Sequence, residues 1–206
     1  MPLSFLILGY SLIYGLASPT LRPLYSIYNT IANEYEPTFT DRTVNLYDGS
    51  NGKSDGVLYL KDVKMPSYGD LFGKIEMPSI NLDVKLFYGD SEETLLDGAG
   101  MFQGSILPGF DRTILIAGHT IPYFQEFGNI NKGDEITLST HYGIFKYKVA
   151  NMKVGKFNDS SMYDLEQKKK EQLILYTCYP LDGIGFKQER LFIYADKISG
   201  PTILGE

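Results

Sequence analysis

The distribution of apolar and polar positions divides the chain into three stretches. The run LSFLILGYSLIYGLA, from Leu3 to Ala17, is almost continuously apolar. Pro23 then opens a segment with apolar residues at Leu24, Ile27, Tyr28, Ile31 and Tyr35. That is helical spacing, with proline where a first turn tolerates it. A polar tract follows, and DGSNGKSDG, Asp48 to Gly56, reads as loop. From Leu71 onward the pattern becomes short runs rich in β-branched and aromatic residues: FGKIEM, LDVKLFY, RTILIAG, EITLST, GIFKYKVANM, QLILYT and RLFIYADKI. Gly, Pro, Asn and Asp punctuate them, as expected of strands joined by turns. THYG, Thr140 to Gly143, joins two runs as a hairpin turn would. Short helices are expected at SEETLLDG, with Ser91 as cap and Gly98 as terminator, at IPYFQEFG, and at an insert starting at Ser160 or Ser161. There is no regular βαβ alternation. The pattern predicts a mainly β domain, a largely antiparallel barrel or sandwich with a few short helices.

None of the 19 Lys and Arg or 25 Asp and Glu residues precedes Arg22. About eight central Leu, Ile and Phe residues in the first stretch favour membrane insertion by about 4 kcal/mol. Gly, Ser, Tyr and Pro reduce that figure. Residues 1–21 are therefore expected to be an N-terminal anchor, with a cleaved signal and a buried core helix as alternatives. Residues 22–70 are expected to be a linker or an arm lying against the domain. Residues 71–206 are the expected catalytic or binding domain.

Composition narrows the function. The net charge of −6 leaves no cationic excess to neutralise phosphates, which argues against a nucleic-acid binder. One Cys rules out an intrachain disulfide, and one Cys with two His supplies a zinc site poorly. No calcium loop is recognisable among the acidic residues.

The candidate chemistry lies at strand ends. Cys178 follows QLILYT and precedes Tyr179-Pro180. His119 ends the run ILIAGHT. Arg190 begins RLFIYA. Singly, each has an ordinary structural explanation: a small buried thiol, a turn histidine, a solvated strand end. Together they fit if the strands before Cys178 and after Arg190 are antiparallel neighbours, about 4.8 Å apart, and the His119 strand runs parallel to that of Cys178. An ordinary thiol, with pKa about 8.5, is only a few per cent thiolate at pH 7. A nearby imidazole can take its proton and later protonate a leaving amine. A guanidinium stays charged and can hold an oxyanion. His141, in the THYG turn, is expected to face solvent.

These residues resemble a sortase. LILYTCYP is similar to that family's TLxTCxP segment, with Cys178 at the nucleophile position and Thr177 before it. RTILIAGHT resembles the strand that delivers the family's histidine, here His119. ERLFIYA resembles the strand that opens with its arginine, here Arg190. FGKIEMPSI, LLDGAGMFQGSILPG and FQEFGNINKGDEITL add matches in the same order, over roughly residues 70 to 197. Two departures are Leu175-Tyr176, where many members carry a small polar residue, and the Asn-Leu-Asp-Val after Ile80.

The resemblance implies an eight-stranded barrel on the extracellular face of a cell membrane, anchored through its N-terminal segment. It implies a transpeptidase that cleaves secreted proteins at an LPXTG-like sorting signal between Thr and Gly. The acyl group is held on Cys178 and passed to an amine of a cell-wall precursor. No metal or other cofactor is required. An N-terminal anchor and TCYP are more similar to the housekeeping or class D groups, and class D is the expected one. The neighbouring Ala117, Gly118, Tyr176, Thr177 and Phe186 are expected to touch substrate. A cysteine peptidase that only hydrolyses the thioester, and a non-catalytic membrane-anchored β-domain, are the alternatives.

Overall fold

The computed structural model describes residues 10, 44–49, 52–166, 170–182, 185 and 187–205. Apart from Tyr10, the expected anchor at 1–21 lies outside them, as does Phe186. Among the described residues no helix is long and apolar enough to cross a membrane.

Eight strands close into one barrel. They are β2 (Leu71–Met77), β3 (Leu82–Tyr88), β4 (Ala99–Met101), β5 (Thr113–Ala117), β6 (Glu135–Thr140), β7 (Ile144–Lys156), β8 (Gln172–Tyr179) and β9 (Glu189–Ser199). Their order around the barrel is β2-β3-β4-β5-β8-β9-β7-β6, and pairing of β6 with β2 closes it. Two pairs are parallel, β3 with β4 and β5 with β8; the others are antiparallel. The mainly β, eight-stranded barrel expected from the sequence is thus the observed architecture, and closure leaves its strands without free edges.

The alternation of side chains along each strand creates two apolar clusters. Inward residues of the site-bearing strands, Ile114, Ile116, Leu173, Leu175, Leu191 and Ile193, join the main core with Phe72, Ile75, Leu138 and Phe145. Outward residues one position away, Leu115, Ile174 and Phe192, form a separate cluster. Met162, Tyr163 and Leu165 from the β7–β8 connection pack over it. Period-two alternation of this kind normally leaves one face polar. Here β5, β8 and β9 are apolar on both faces because that connection covers the outer one.

The helix α1 (Glu92–Asp97) forms where expected, with the Ser91 hydroxyl accepting from the Thr94 N–H and Gly98 following its last turn. The IPYFQEFG stretch makes two short helical turns, Thr120–Phe124 and Gln125–Asn129, interrupted at Ile121. They form because Phe124 and Phe127 are buried, their rings stacked at 4.1 Å. The insert after β7 starts at Ser160, but its cap is Asp159, whose carboxylate accepts from the Ser161 N–H.

Three very short strands are not evident in the sequence. β1 (Val57–Tyr59) pairs in parallel with β10 (Thr202–Leu204), and β4 has three residues. A three-residue strand carries too little periodicity to recognise. Leu58 and Ile203, paired at the centre of this ribbon, are both buried against the main core. β7 also runs further than its apolar pattern, through Lys156, because it pairs with β9 as far as Glu189. His141 does not face solvent. It is half-buried, its Nε2 lies 2.8 Å from the Lys64 carbonyl oxygen and its Nδ1 3.3 Å from that of Phe72.

At the start of β8 a buried carboxylate ties several segments together. Glu171 is 2% exposed and accepts from the backbone N–H groups of Gly109 and Asp111, the Tyr147 hydroxyl and the Lys197 ammonium. Burial and the Glu171 charge hold the Tyr147 phenol well above its ordinary pKa, so it remains a donor. Glu171→Gln would remove the charge facing Lys197 and turn an amide donor toward these donors. Breaking a buried pair from one side costs roughly 3–5 kcal/mol. We expect a loss of about 3 kcal/mol in urea unfolding. Unchanged stability would show that the network contributes nothing net.

Candidate active site

The parallel pairing of β5 with β8 brings the histidine and cysteine strands to a common end. Ala117 is opposite Tyr176 in the ladder, and the Gly118 N–H donates to the Tyr176 carbonyl at 3.2 Å. Two residues beyond that pair on each strand stand His119 and Cys178. β8 runs antiparallel to β9, and Cys178 is paired directly with Arg190. Three strand ends from distant parts of the sequence therefore meet at one rim.

Strand parity places this rim on the outside of the barrel. Cys178 continues the series Ile174 and Tyr176, and Arg190 the series Phe192 and Tyr194, the residues of the outer apolar cluster. Cys178 and His119 are half-buried. The thiol is thus neither enclosed in the core nor fully open to water.

The guanidinium is held from several sides. Arg190 Nη1 donates to the carbonyls of Lys187 and Glu189, at 2.6 and 2.9 Å. Its Cζ lies 5.7 Å from the centre of the Phe157 ring, a cation–π distance. Phe157 sits just past β7, and its N–H donates to the Gln188 carbonyl. The β7 extension thus brings an aromatic platform to the arginine.

The electrostatics of the rim follow from burial and these neighbours. Burial lowers the His119 pKa; the Glu92 carboxylate acts upward, and Arg190 downward. Glu92 is in the first turn of α1, and the Tyr123 hydroxyl donates to the Leu96 carbonyl, docking that helix on the turns after His119. Burial and the Asp90 carboxylate push the Tyr176 phenol up to about 12, so it remains a hydrogen donor. A cleft of about 400 Å³ is lined by Lys156, Tyr179, Pro180, Lys187, Gln188 and Glu189, sequence neighbours of Cys178 and Arg190.

The depressed histidine gives a testable pH signature. Its folded value lies below that of an unfolded imidazole, about 6.5. The folded state therefore binds fewer protons in that window. This contribution to stability is complete above about pH 6.5 and is lost as pH falls through the folded value. Proton NMR of the chain's two histidines should show His119 titrating below 6.5. Glu92→Gln should move it lower still. A rise on that substitution would refute the assigned influence of Glu92.

Of the five neighbours expected to touch substrate, Phe186 lies outside the described residues, and the other four divide into different roles. Ala117 and Tyr176 point to the outer face beneath Cys178. Thr177 points inward, is 1% exposed, and donates its hydroxyl to the Gly118 carbonyl at 2.8 Å. Gly118 is buried, and a Cβ there would lie 2.3 Å from the Phe124 ring. Its lack of a side chain serves packing of the following turn. Thr120, Phe157 and Glu92 had no signal in the sequence beyond, for Thr120, its adjacency to His119. Among the described residues no group of His, Cys, Asp and Glu side chains is gathered as a metal site.

Residues 75–198 match the sortase domain family. The chain is 33% identical over 134 residues to sortase D of Bacillus subtilis (strain 168), covering 65% of this chain and 67% of that protein. It is 26% identical over 112 residues to sortase A of Bacillus anthracis, about half the length of each. Among solved structures, a Clostridium perfringens sortase D5 transpeptidase superposes with a TM-score of 0.60 at 23% identity, over 67% of this chain and 85% of that one. Streptococcus pneumoniae sortase C gives 0.56 at 26% identity, over 62% and 68%. The chain belongs to the sortase family of cysteine transpeptidases.

Proposed function

We propose that this protein is a class D sortase acting on secreted proteins with an LPXTG-like sorting signal. Cys178 is the nucleophile, His119 the general acid and base, and Arg190 the oxyanion partner. The observation that carries this reading is the direct pairing of Cys178 with Arg190, beside the parallel strand that leads into His119.

The chemistry balances with these groups alone. His119 takes the thiol proton, and the thiolate sulfur attacks the Thr carbonyl carbon of the signal. Negative charge collects on the carbonyl oxygen, where the Arg190 guanidinium can receive it. The C–N bond to Gly breaks as His119 returns the proton to the departing amine. A thioester remains on Cys178. An amine of a cell-wall precursor then attacks that carbonyl, its proton passes to His119, and the sulfur leaves. Ala117, Tyr176 and Phe186 are proposed to line the path of the signal. Residues 71–206 form the catalytic domain, 22–70 the linker or arm, and 1–21 the anchor that keeps the enzyme on the extracellular face of the membrane. The 33% identity to a sortase D supports the class.

Product analysis with an LPXTG-type peptide tests the reading. In the presence of an amine acceptor a ligated product should appear at the expense of free acid. Hydrolysis indifferent to any amine would instead identify a peptidase. Failure of Cys178 to react with a thiol reagent in the native protein would identify a non-catalytic domain.

A further inference from the structure

The ladder between the strands that lead to His119 and Cys178 has its last pair at Ala117 and Tyr176, two residues short of both. Its last backbone bond is the one from the Gly118 N–H to the Tyr176 carbonyl. Beyond that point two buried hydroxyls connect the chains instead. The Thr177 hydroxyl donates to the Gly118 carbonyl at 2.8 Å. The Thr120 hydroxyl lies 3.1 Å from the Cys178 carbonyl oxygen and 3.0 Å from the Thr177 Oγ1.

The hydrogens can be assigned by counting. A hydroxyl has one hydrogen. That of Thr177 is used on the Gly118 carbonyl and that of Thr120 on the Cys178 carbonyl. The third contact, between the two hydroxyl oxygens, can then only share one of these hydrogens. Thr120 is only 7% exposed and Thr177 1%, so water has little access to replace either bond. An unmade bond in such a place is penalised more than an exposed one.

We propose that Thr120 is a positioning residue for the transpeptidation reaction: its hydroxyl clamps the backbone of Cys178 to the strand end that carries His119. This rests on the reading of Cys178 and His119 given above. The clamp replaces the missing ladder bond at the position where the thiol and imidazole must keep their separation. A displacement of about 1 Å between reacting groups can cost about a hundredfold in rate. The hydroxyl acts through the carbonyl of the nucleophile's own peptide.

Thr120→Val keeps the shape and removes the hydroxyl; Thr120→Ser keeps the hydroxyl. Turnover of an LPXTG-type peptide should be measured per titratable thiol, so that lost folded protein does not count. Thr120→Val should lower kcat by about tenfold or more, with KM changed by less than about twofold, because alignment rather than binding is lost. Thr120→Ser should recover to within about threefold of wild type, since it restores the donor. The pH dependence of Cys178 alkylation in Thr120→Val should move toward that of His119→Ala; a purely structural threonine would lower the melting temperature and leave that profile in place. If Thr120→Val does not accumulate, Thr120→Ala is read in the same way. Wild-type kcat in the hydroxyl-free variant, equal damage in Thr120→Ser, or an unmoved alkylation profile each overturns the inference. Activity surviving in Cys178→Ala would instead overturn the underlying reading, so the two failures are separable.

Discussion

Cys178→Ala should abolish both cleavage of an LPXTG-type peptide and formation of a thioester, and His119→Ala should lose nearly as much. The chain contains one cysteine, so no second thiol can take over. The half-buried thiol stands at the end of a strand whose outer face forms an apolar strip. Truncating it removes the thiol while leaving the ladder with β9 intact, and the melting temperature should hold. His119→Ala leaves the sulfur in place without a partner for its proton. Residues that work as one unit give losses that do not add. The double variant should therefore be no worse than Cys178→Ala alone. Turnover is measured by mass spectrometry, and the trapped acyl-enzyme by the mass of the intact protein. A Cys178→Ala protein that still released the Gly-containing fragment would remove the thiol from the mechanism. Substantial turnover by His119→Ala would show the thiol working without the imidazole.

Arg190→Lys should lower kcat by about a hundredfold or more while keeping the positive charge. Loss of one donor to an oxyanion costs about 3 kcal/mol, which corresponds to that factor. The structure gives a further reason that lysine fails here. Nη1 is already engaged by the carbonyls of Lys187 and Glu189, and the planar group lies over the Phe157 ring. A guanidinium can satisfy these groups with one nitrogen and direct others toward the substrate. A single ammonium cannot do both. The loss should fall on kcat rather than on KM, because the oxyanion develops only in the transition state. Phe157, 49% exposed at the edge of this site, supports the arginine rather than the reaction itself. Phe157→Leu should accordingly show a smaller defect than Arg190→Lys. Wild-type turnover by Arg190→Lys would rule out a directed guanidinium role.

Much of the architecture is legible in the order of apolar runs. Each of the longer runs from FGKIEM to RLFIYADKI became a barrel strand, because β-branched and aromatic residues at period two suit a pleated surface packed on a core. The caps at Ser91 and the turn at THYG depend on contacts within a few residues, and local sequence specifies those. β1, β4 and β10 were not legible: each has three residues and forms only because a partner strand is already present. His141 was misjudged for a similar reason. The carbonyls of Lys64 and Phe72 that meet its ring lie 77 and 69 residues away.

The same division applies to the site. The residue types, their order and their positions at strand ends are properties of the sequence, and they suffice to suggest a thiol, an imidazole and a guanidinium in one reaction. Only the closed barrel decides that Cys178 is paired with Arg190 and that the His119 strand runs parallel beside them. Likewise Thr177, adjacent to Cys178 in sequence, turns inward to Gly118, while Phe157, 33 positions from Arg190 along the chain, lies beneath its guanidinium. Local chemistry is encoded residue by residue. Register and facing are collective, because closing the barrel fixes every strand's neighbours at once.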